Sequence, residues 1–217
     1  MLRAPRWKQR LAHLAMSAAP LVAGTLAAPH CATAHPHVWI SVVAELQYNP
    51  GGSITGVRQT WTFDEMFSAL STRGIEQKIP GTFTREELGL LEKTYLDGLK
   101  DYEYFTFAKL GGERQKSAFA DPVDDVMDYD RKQAAIKLSF TLPLRTPAPA
   151  QSLEVLIYDP QLFFYLSFDR FDPVRLIGAP TQCRPLLKTP TDDAAPAPDS
   201  IAGMVTTQSG TIWVKCL

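Results

Sequence analysis

The chain has 217 residues, of which 45% are hydrophobic and 21% charged, and its formal net charge is −1. This composition excludes an intrinsically disordered chain, because disorder goes with few apolar residues and a net charge far from zero. It also argues against a nucleic-acid partner, since the pI is about 6.4 and no run rich in Lys or Arg follows the first ten residues.

Residues 1–34 have the layout of a secretory signal peptide. Four of the first ten residues are basic and none is acidic, an apolar stretch covers 11–28, and small residues fill 32–34. A transmembrane helix is less favoured, because a span needs about 20 apolar residues and Pro20 and Gly24 interrupt this stretch. We expect cleavage after Ala34, which leaves residues 35–217 as a single periplasmic domain that does not itself span the membrane.

Cleavage at that point would leave 18 basic and 23 acidic residues, a net charge of about −5. The mature chain would keep two cysteines, Cys183 and Cys216. A disulfide between them is the simplest interpretation, because the periplasm is oxidising and no other cysteine remains. Thiolate metal ligation is less favoured, since 33 positions separate the two residues and neither is part of a CxxC pair.

The first predicted elements of the mature chain form a hairpin. Residues 37–48 and 53–63 are rich in Val, Ile and aromatic side chains, and the turn residues Pro50-Gly51-Gly52 lie between them. Asp64 then precedes Met66 and Phe67, and this spacing predicts a short helix with Asp64 as its N-cap.

A second helix is predicted from a capping box and an apolar face. Thr84 and Glu87 have the spacing of the capping box. Apolar residues then recur at steps of three or four, at Leu88, Leu91, Tyr95, Leu99 and Tyr102.

From this point on, the hydrophobic period changes to two. Strands are predicted at 104–108, 135–142, 153–158, 163–168 and 211–216. The segments 145–150 and 189–200 are rich in Pro and are predicted to be exposed connections. We therefore predict an α+β fold of mainly antiparallel β-sheet, with a sandwich as one arrangement and two helices in the N-terminal half.

The two histidines of the expected mature chain, His35 and His37, fall within its first three residues. The terminal amine and ring nitrogen of His35 could close a chelate ring on a metal ion. In an extended segment His37 would face the same side. Pro36 has no N–H to lose, so ligation has to use side chains and the amine rather than backbone nitrogens. Zn, Ni, Co and Cu all suit such donors. The alternative is a frayed terminus without function.

Other acidic residues are weaker candidates. Asp64 and Glu65 could add a carboxylate ligand, although we favour a helix cap and a charge that complements the helix dipole. The acidic segment 121–130 lacks the glycine and terminal glutamate of a calcium loop, and we interpret it as a solvated turn or edge. Tyr158-Asp-Pro160, ahead of Phe163 and Phe164, predicts a turn whose aromatic residues enter the core.

The motifs Ala34-His-Pro-His-Val-Trp-Ile40, Trp61-Thr-Phe-Asp-Glu-Met-Phe-Ser68 and Tyr158-Asp-Pro-Gln-Leu-Phe-Phe164, together with a cysteine near the C-terminus, resemble the exported bacterial family called domain of unknown function 1007. The resemblance implies a periplasmic component of a transport system, with members often encoded beside nickel/cobalt-type permeases or in zinc-responsive clusters. The family often has Asp after the first motif, whereas this chain has Ser41.

Three functions follow as hypotheses. The first is a periplasmic accessory protein that binds a divalent transition metal through His35 and His37 and exchanges it with an inner-membrane permease. The second is a copper-dependent oxidative enzyme, for which the sequence supplies no proton-transfer residue beyond Asp64 and Glu65. The third is an interaction module of a transport complex that binds no metal.

Overall fold

The computed structural model describes residues 38–189 and 210–216, and these form eleven strands and two α-helices. The α-helices are α1 (Glu65–Ser71) and α2 (Arg85–Lys100). The strands are β1 (Val38–Tyr48), β2 (Ser53–Phe63), β3 (Thr106–Leu110), β4 (Glu113–Gln115), β5 (Val123–Asp130), β6 (Ala135–Pro149), β7 (Leu153–Ile157), β8 (Phe164–Phe168), β9 (Val174–Ile177), β10 (Cys183–Lys188) and β11 (Gly210–Cys216).

The first sheet has the strand order β5-β6-β2-β1-β8, and β9 also pairs with β1. The predicted hairpin is confirmed as the antiparallel pair β1–β2, with Gly52 at φ 79° in its turn. Two parallel pairings extend this sheet: β8 and β9 pair one after the other along the edge of β1 that does not face β2. The sheet is therefore mixed.

The second sheet has the order β10-β11-β7-β3-β4, and all of its pairings are antiparallel. Both sheets contribute residues to one hydrophobic core, which includes Val42 of β1, Val155 of β7 and Ile212 of β11. A buried hydrogen bond also crosses between them, because Gln59 Nε2 of β2 donates to Thr106 Oγ1 of β3 at 2.6 Å. The predicted α+β fold with mainly antiparallel sheet is thus confirmed.

The two predicted helix starts are confirmed. Asp64 caps α1, and Thr84 with Glu87 forms a reciprocal capping box at the start of α2. The predicted apolar face of α2 is wrong at its end, because the helix stops at Lys100 and Tyr102 lies beyond it, 41% exposed. Leu96 takes its place in the core.

Three strand predictions need correction. The strand predicted from Tyr104 begins at Thr106, because the preceding residues Glu103–Phe105 form a 3₁₀ turn with positive φ. The segment 145–150 is not a connection, because β6 continues to Pro149. Residues 145–147 and Pro149 are exposed as predicted, whereas Ala148 and Ala150 are buried. Phe163, predicted in the core, is 41% exposed.

The remaining predictions concern the edges and the disulfide. The acidic segment lies largely on β5, an edge strand of the first sheet, in agreement with its interpretation as an edge. Cys183 and Cys216 are joined by a disulfide between β10 and β11.

Residues 190–200 of the second Pro-rich segment lie outside the described residues. Within the part of the chain that is described, no helix is long and apolar enough to cross a bilayer.

Candidate metal centre at the start of the first strand

The carboxylate of Asp64 connects the start of α1 to the start of β1. Its Oδ1 accepts a hydrogen bond from the Phe67 N–H at 2.8 Å, which is the N-cap bond of α1. Its Oδ2 accepts one from the Trp39 N–H at 3.0 Å, and the Asp64 N–H donates to the Trp39 carbonyl at 3.0 Å. The side chain therefore extends the β1–β2 ladder beyond Phe63 and is held in place by two backbone donors.

The histidines on which the sequence hypothesis rests, His35 and His37, lie outside the described residues. The described chain begins at Val38, whose side chain is only 2% exposed and belongs to the hydrophobic core. Val38 also pairs in parallel register with Phe164 of β8. The strand is thus anchored from the residue that directly follows His37.

A groove of about 450 Å³ lies on the outer face of β1, beside Asp64. The pairing register places Ser41 of β1 between Thr62 of β2 and Ser167 of β8, and all three line the groove. Gln133, from the turn between β5 and β6, adds an amide. Ser41 is therefore in the same groove as Asp64.

Sequence reasoning identified Asp64 but missed most of this polar groove. Strand alternation could have placed Thr62 and Ser167 on the outer face of the sheet. Thr62 lies beside Ser41 through the predicted β1–β2 hairpin. The approach of Ser167 to Ser41 depends on the parallel pairing of β1 with β8, which no local sequence pattern indicates. Gln133 belongs to a turn and carries no signal of its own.

The other candidate ligands differ in their surroundings. Glu65 is exposed at the first position of α1. The disulfide leaves neither Cys183 nor Cys216 as a free thiolate, so the alternative of cysteine ligation is not supported. Among residues 38–189 and 210–216, no cluster of three or more His, Cys, Asp or Glu side chains is placed to hold a metal ion.

Comparison with known proteins gives the family but no activity. An uncharacterized 15.5 kDa protein from the trpE 3′ region of Spirochaeta aurantia is 33% identical over 96 residues. The aligned part covers 44% of this chain and 66% of that relative, so the chain spans slightly less than two thirds of its length. A family model described as "Protein of unknown function (DUF1007)" matches residues 21–208, and the chain therefore belongs to this family.

Proposed function

We propose that this protein binds a divalent transition metal ion in the periplasm and exchanges it with an inner-membrane metal permease. The ligands are the amine and imidazole of His35, the imidazole of His37 and the carboxylate of Asp64. Glu65, exposed next to Asp64 in the sequence, is a further carboxylate candidate.

The observation that supports this proposal best is the 3.0 Å hydrogen bond from the Trp39 N–H to Asp64 Oδ2. Trp39 is two residues after His37, and two residues of extended chain span only about 6.6 Å. A carboxylate with two fixed hydrogen bonds keeps lone pairs for a ligand role. The fold therefore fixes the Asp64 carboxylate on a backbone position only two residues from His37 in the chain, which supports its choice as a ligand.

The chemistry of the donors favours the late first-row metals. Imidazole nitrogen suits Zn, Cu and Ni, and a carboxylate can complete such a set. Imidazole and amine must both be deprotonated to bind, so acid should release the ion. The signal-peptide layout, the disulfide and the resemblance to a family often encoded beside metal permeases support the proposed location and partner.

The experiment starts with the intact mass of the exported protein, which identifies its first residue. The purified mature protein then competes with a chromophoric chelator for Zn²⁺, Ni²⁺, Co²⁺ and Cu²⁺ in turn. We expect His37→Ala to weaken binding of the preferred ion by at least about tenfold, since it removes one of the ligands. Binding as tight in His37→Ala as in the wild type would contradict the proposal.

Asp64→Asn removes the carboxylate ligand. Its single amide oxygen can keep the N-cap bond from the Phe67 N–H but cannot also accept from the Trp39 N–H, so we expect a loss of about 1 kcal/mol in the free energy of unfolding together with a lower affinity for the metal. Glu113→Gln in β4 is the matched control, because it removes an exposed carboxylate from the other sheet. Equal loss of affinity in both variants would indicate a nonspecific charge effect.

A further inference from the structure

A second candidate site is an aromatic cavity of about 400 Å³ among β2, α1, α2 and the loop between β7 and β8. Eight of the described residues that line it are aromatic. Trp61, Phe63 and Phe105 form its buried part, each at most 3% exposed, whereas Tyr102 and Phe163 are each 41% exposed. The volume and the lining are typical of small-molecule pockets in proteins.

The rings form a continuous wall. Phe105 stacks on Trp61 with centroids 6.3 Å apart and contacts Phe164 at 5.5 Å. Phe164 contacts Phe67 at 6.5 Å, and Phe67 stacks on Phe63 at 5.2 Å. Aromatic faces carry negative partial charge, so a cavity bounded by several rings attracts a cation, most strongly where water is excluded.

One carboxylate, that of Asp159, lines the same cavity and is 2% exposed. Its Oδ1 accepts from the Gln161 N–H at 2.8 Å, and its Oδ2 accepts from the N–H groups of Phe163 and Phe164, both at 2.9 Å. None of the ion pairs within the described residues includes Asp159. The three backbone donors stabilise this carboxylate, and a cation in the cavity would add the charge partner that none of these ion pairs provides.

Strained backbone borders the cavity on two sides. Glu103, Tyr104 and Phe105 take φ values of 53°, 52° and 50° in succession, and Leu162 takes 61°. Non-glycine residues rarely adopt this left-handed region, and such strain tends to cluster at ligand sites. The two segments also adjoin each other, because the Tyr158 N–H donates to the Phe105 carbonyl at 3.0 Å.

We propose that this cavity binds a small organic cation of the quaternary ammonium type. The alkylated nitrogen contacts the aromatic faces, and its charge compensates that of Asp159. The site is independent of the proposed metal centre, since it uses neither the histidines nor Asp64. The other reading, in which Asp159 only clamps a turn beside an apolar pocket, predicts no preference for charge.

The test compares two ligands of the same shape. Phenyltrimethylammonium has a positively charged nitrogen at the position where tert-butylbenzene has a neutral carbon. We expect the cation to bind at least about tenfold tighter, as cation–π contacts in a desolvated site would give. Titration is followed by the ¹H–¹⁵N shifts of Gln161, Phe163 and Phe164 in the wild-type protein.

The variants change exposed rings and not Asp159, because Asp159 holds three backbone hydrogen bonds of its turn. Tyr102→Leu and Phe163→Leu preserve apolar surface but remove an aromatic face. They should therefore weaken binding of the cation several-fold and leave binding of tert-butylbenzene unchanged. Phe171→Leu is the control, because Phe171 is 95% exposed and does not line the cavity. Equal binding of the two ligands, or no shift of these amides at millimolar cation, would overturn the proposal.

Discussion

At the scale of single residues, Ser41 is the position where a small change should matter most for the proposed metal centre. It lies on the outer face of β1, and it lines the groove that also contains Asp64. A hydroxyl there offers a weak neutral ligand, whereas a carboxylate would offer a charged one. The residue at this position therefore tunes the affinity of the site in our proposal.

We predict that Ser41→Asp tightens metal binding by about tenfold, because an added anionic ligand favours a divalent cation. Without metal, the same variant should be slightly less stable, since a second carboxylate enters the groove. Chelator competition and urea unfolding measure the two effects. Val43→Asp, two residues farther along the outer face of β1, is the control and should leave affinity unchanged; a gain there equal to that of Ser41→Asp would refute the role of the groove.

A second residue with a defined electrostatic role is Glu92 on α2. Burial raises the pKa of its carboxyl, and a hydrogen bond with Asp125 raises the pKa further. Its Oε2 also accepts from the Met127 N–H at 3.0 Å, which ties α2 to β5. Because the folded protein holds this proton more tightly than the unfolded chain does, the group destabilises the fold as the pH rises through the raised pKa.

We therefore predict that Glu92→Gln increases stability at pH 8 and has a smaller effect near pH 4. Glutamine can still accept from the Met127 N–H, so only the charge is lost. Glu86→Gln should, by contrast, decrease stability at pH 8. Hydrogen bonds with its own N–H and with Thr84 lower the pKa of Glu86, so its contribution is present above its ordinary pKa and lost in acid. Urea midpoints at both pH values test the pair, and a loss of stability in Glu92→Gln at pH 8 would show the sign to be wrong.

At the scale of elements, the capping box of α2 determines how that helix begins. The Glu87 N–H donates to Thr84 Oγ1 at 3.3 Å, and the Thr84 N–H donates to Glu87 Oε2 at 2.6 Å. Glu87 Oε1 also accepts from the Lys78 N–H at 2.6 Å, so the loop before the helix is fixed by the same side chain.

Thr84→Ala should lower the free energy of unfolding by about 1 kcal/mol, the usual cost of losing a helix cap. Thr94→Ala in the same helix is the matched control. The Thr94 hydroxyl donates to the Leu90 carbonyl inside the helix, and alanine has the higher helix propensity, so this variant should be neutral or slightly stabilising. Similar losses in both variants would show that the loss in Thr84→Ala comes from deleting a hydroxyl and not from losing the helix cap.

Which elements could be predicted from sequence depends on how local their signals are. The β1–β2 turn and the caps at Asp64 and Thr84 involve residues within a few positions of each other, and all three were predicted. Parallel pairing of β1 with β8 joins residues more than 100 positions apart, for example Val38 and Phe164, and leaves no periodic trace. The continuation of β6 was missed because alternating Pro and Ala look like a connection, although Ala148 and Ala150 are buried at the strand period.

The features of the candidate metal centre likewise divide into those with a local sequence signal, which could be predicted, and those without one. The role of Asp64 as a cap follows from its position before an amphipathic segment. Its hydrogen bond to Trp39, 25 positions away, follows from the pairing of β1 with β2 and could not be predicted from the sequence. The left-handed turn at Glu103–Phe105 was missed as well, because none of its residues is a glycine that would signal positive φ.

At the scale of the whole molecule, two sheets of different connectivity close over one core. Contact between them is close at Gly210 of β11, where an added Cβ would collide with the ring of Phe168 in β8. The absence of a side chain therefore lets a ring of the first sheet pack on the backbone of the second. The position of β11 consequently matters to both sheets.

The disulfide holds the part of β11 that has the weaker pairing. Gly210, Thr211 and Ile212 pair with β7 on one side, whereas the register with β10 continues on the other side to the Cys183–Cys216 pair. The stretch 213–216 is thus paired with β10 alone among the described strands. A covalent bond at its end limits fraying of a strand that is otherwise held on one edge.

We predict that the double variant Cys183→Ala with Cys216→Ala lowers the free energy of unfolding by about 3 to 4 kcal/mol, the chain-entropy value for cysteines 33 positions apart. The loss of protection should be greatest at the end of β11, so the Lys215 amide, which faces Arg184 of β10, should exchange its hydrogen faster, while the Val42 amide of β1 is affected less. Reductant should destabilise the wild type and leave the double variant unchanged, which separates the cross-link from the effect of the alanines. A mature protein beginning at His35 that reacts with a thiol reagent before reduction, or a double variant of unaltered stability, would show that this bond does not hold β11 to the fold.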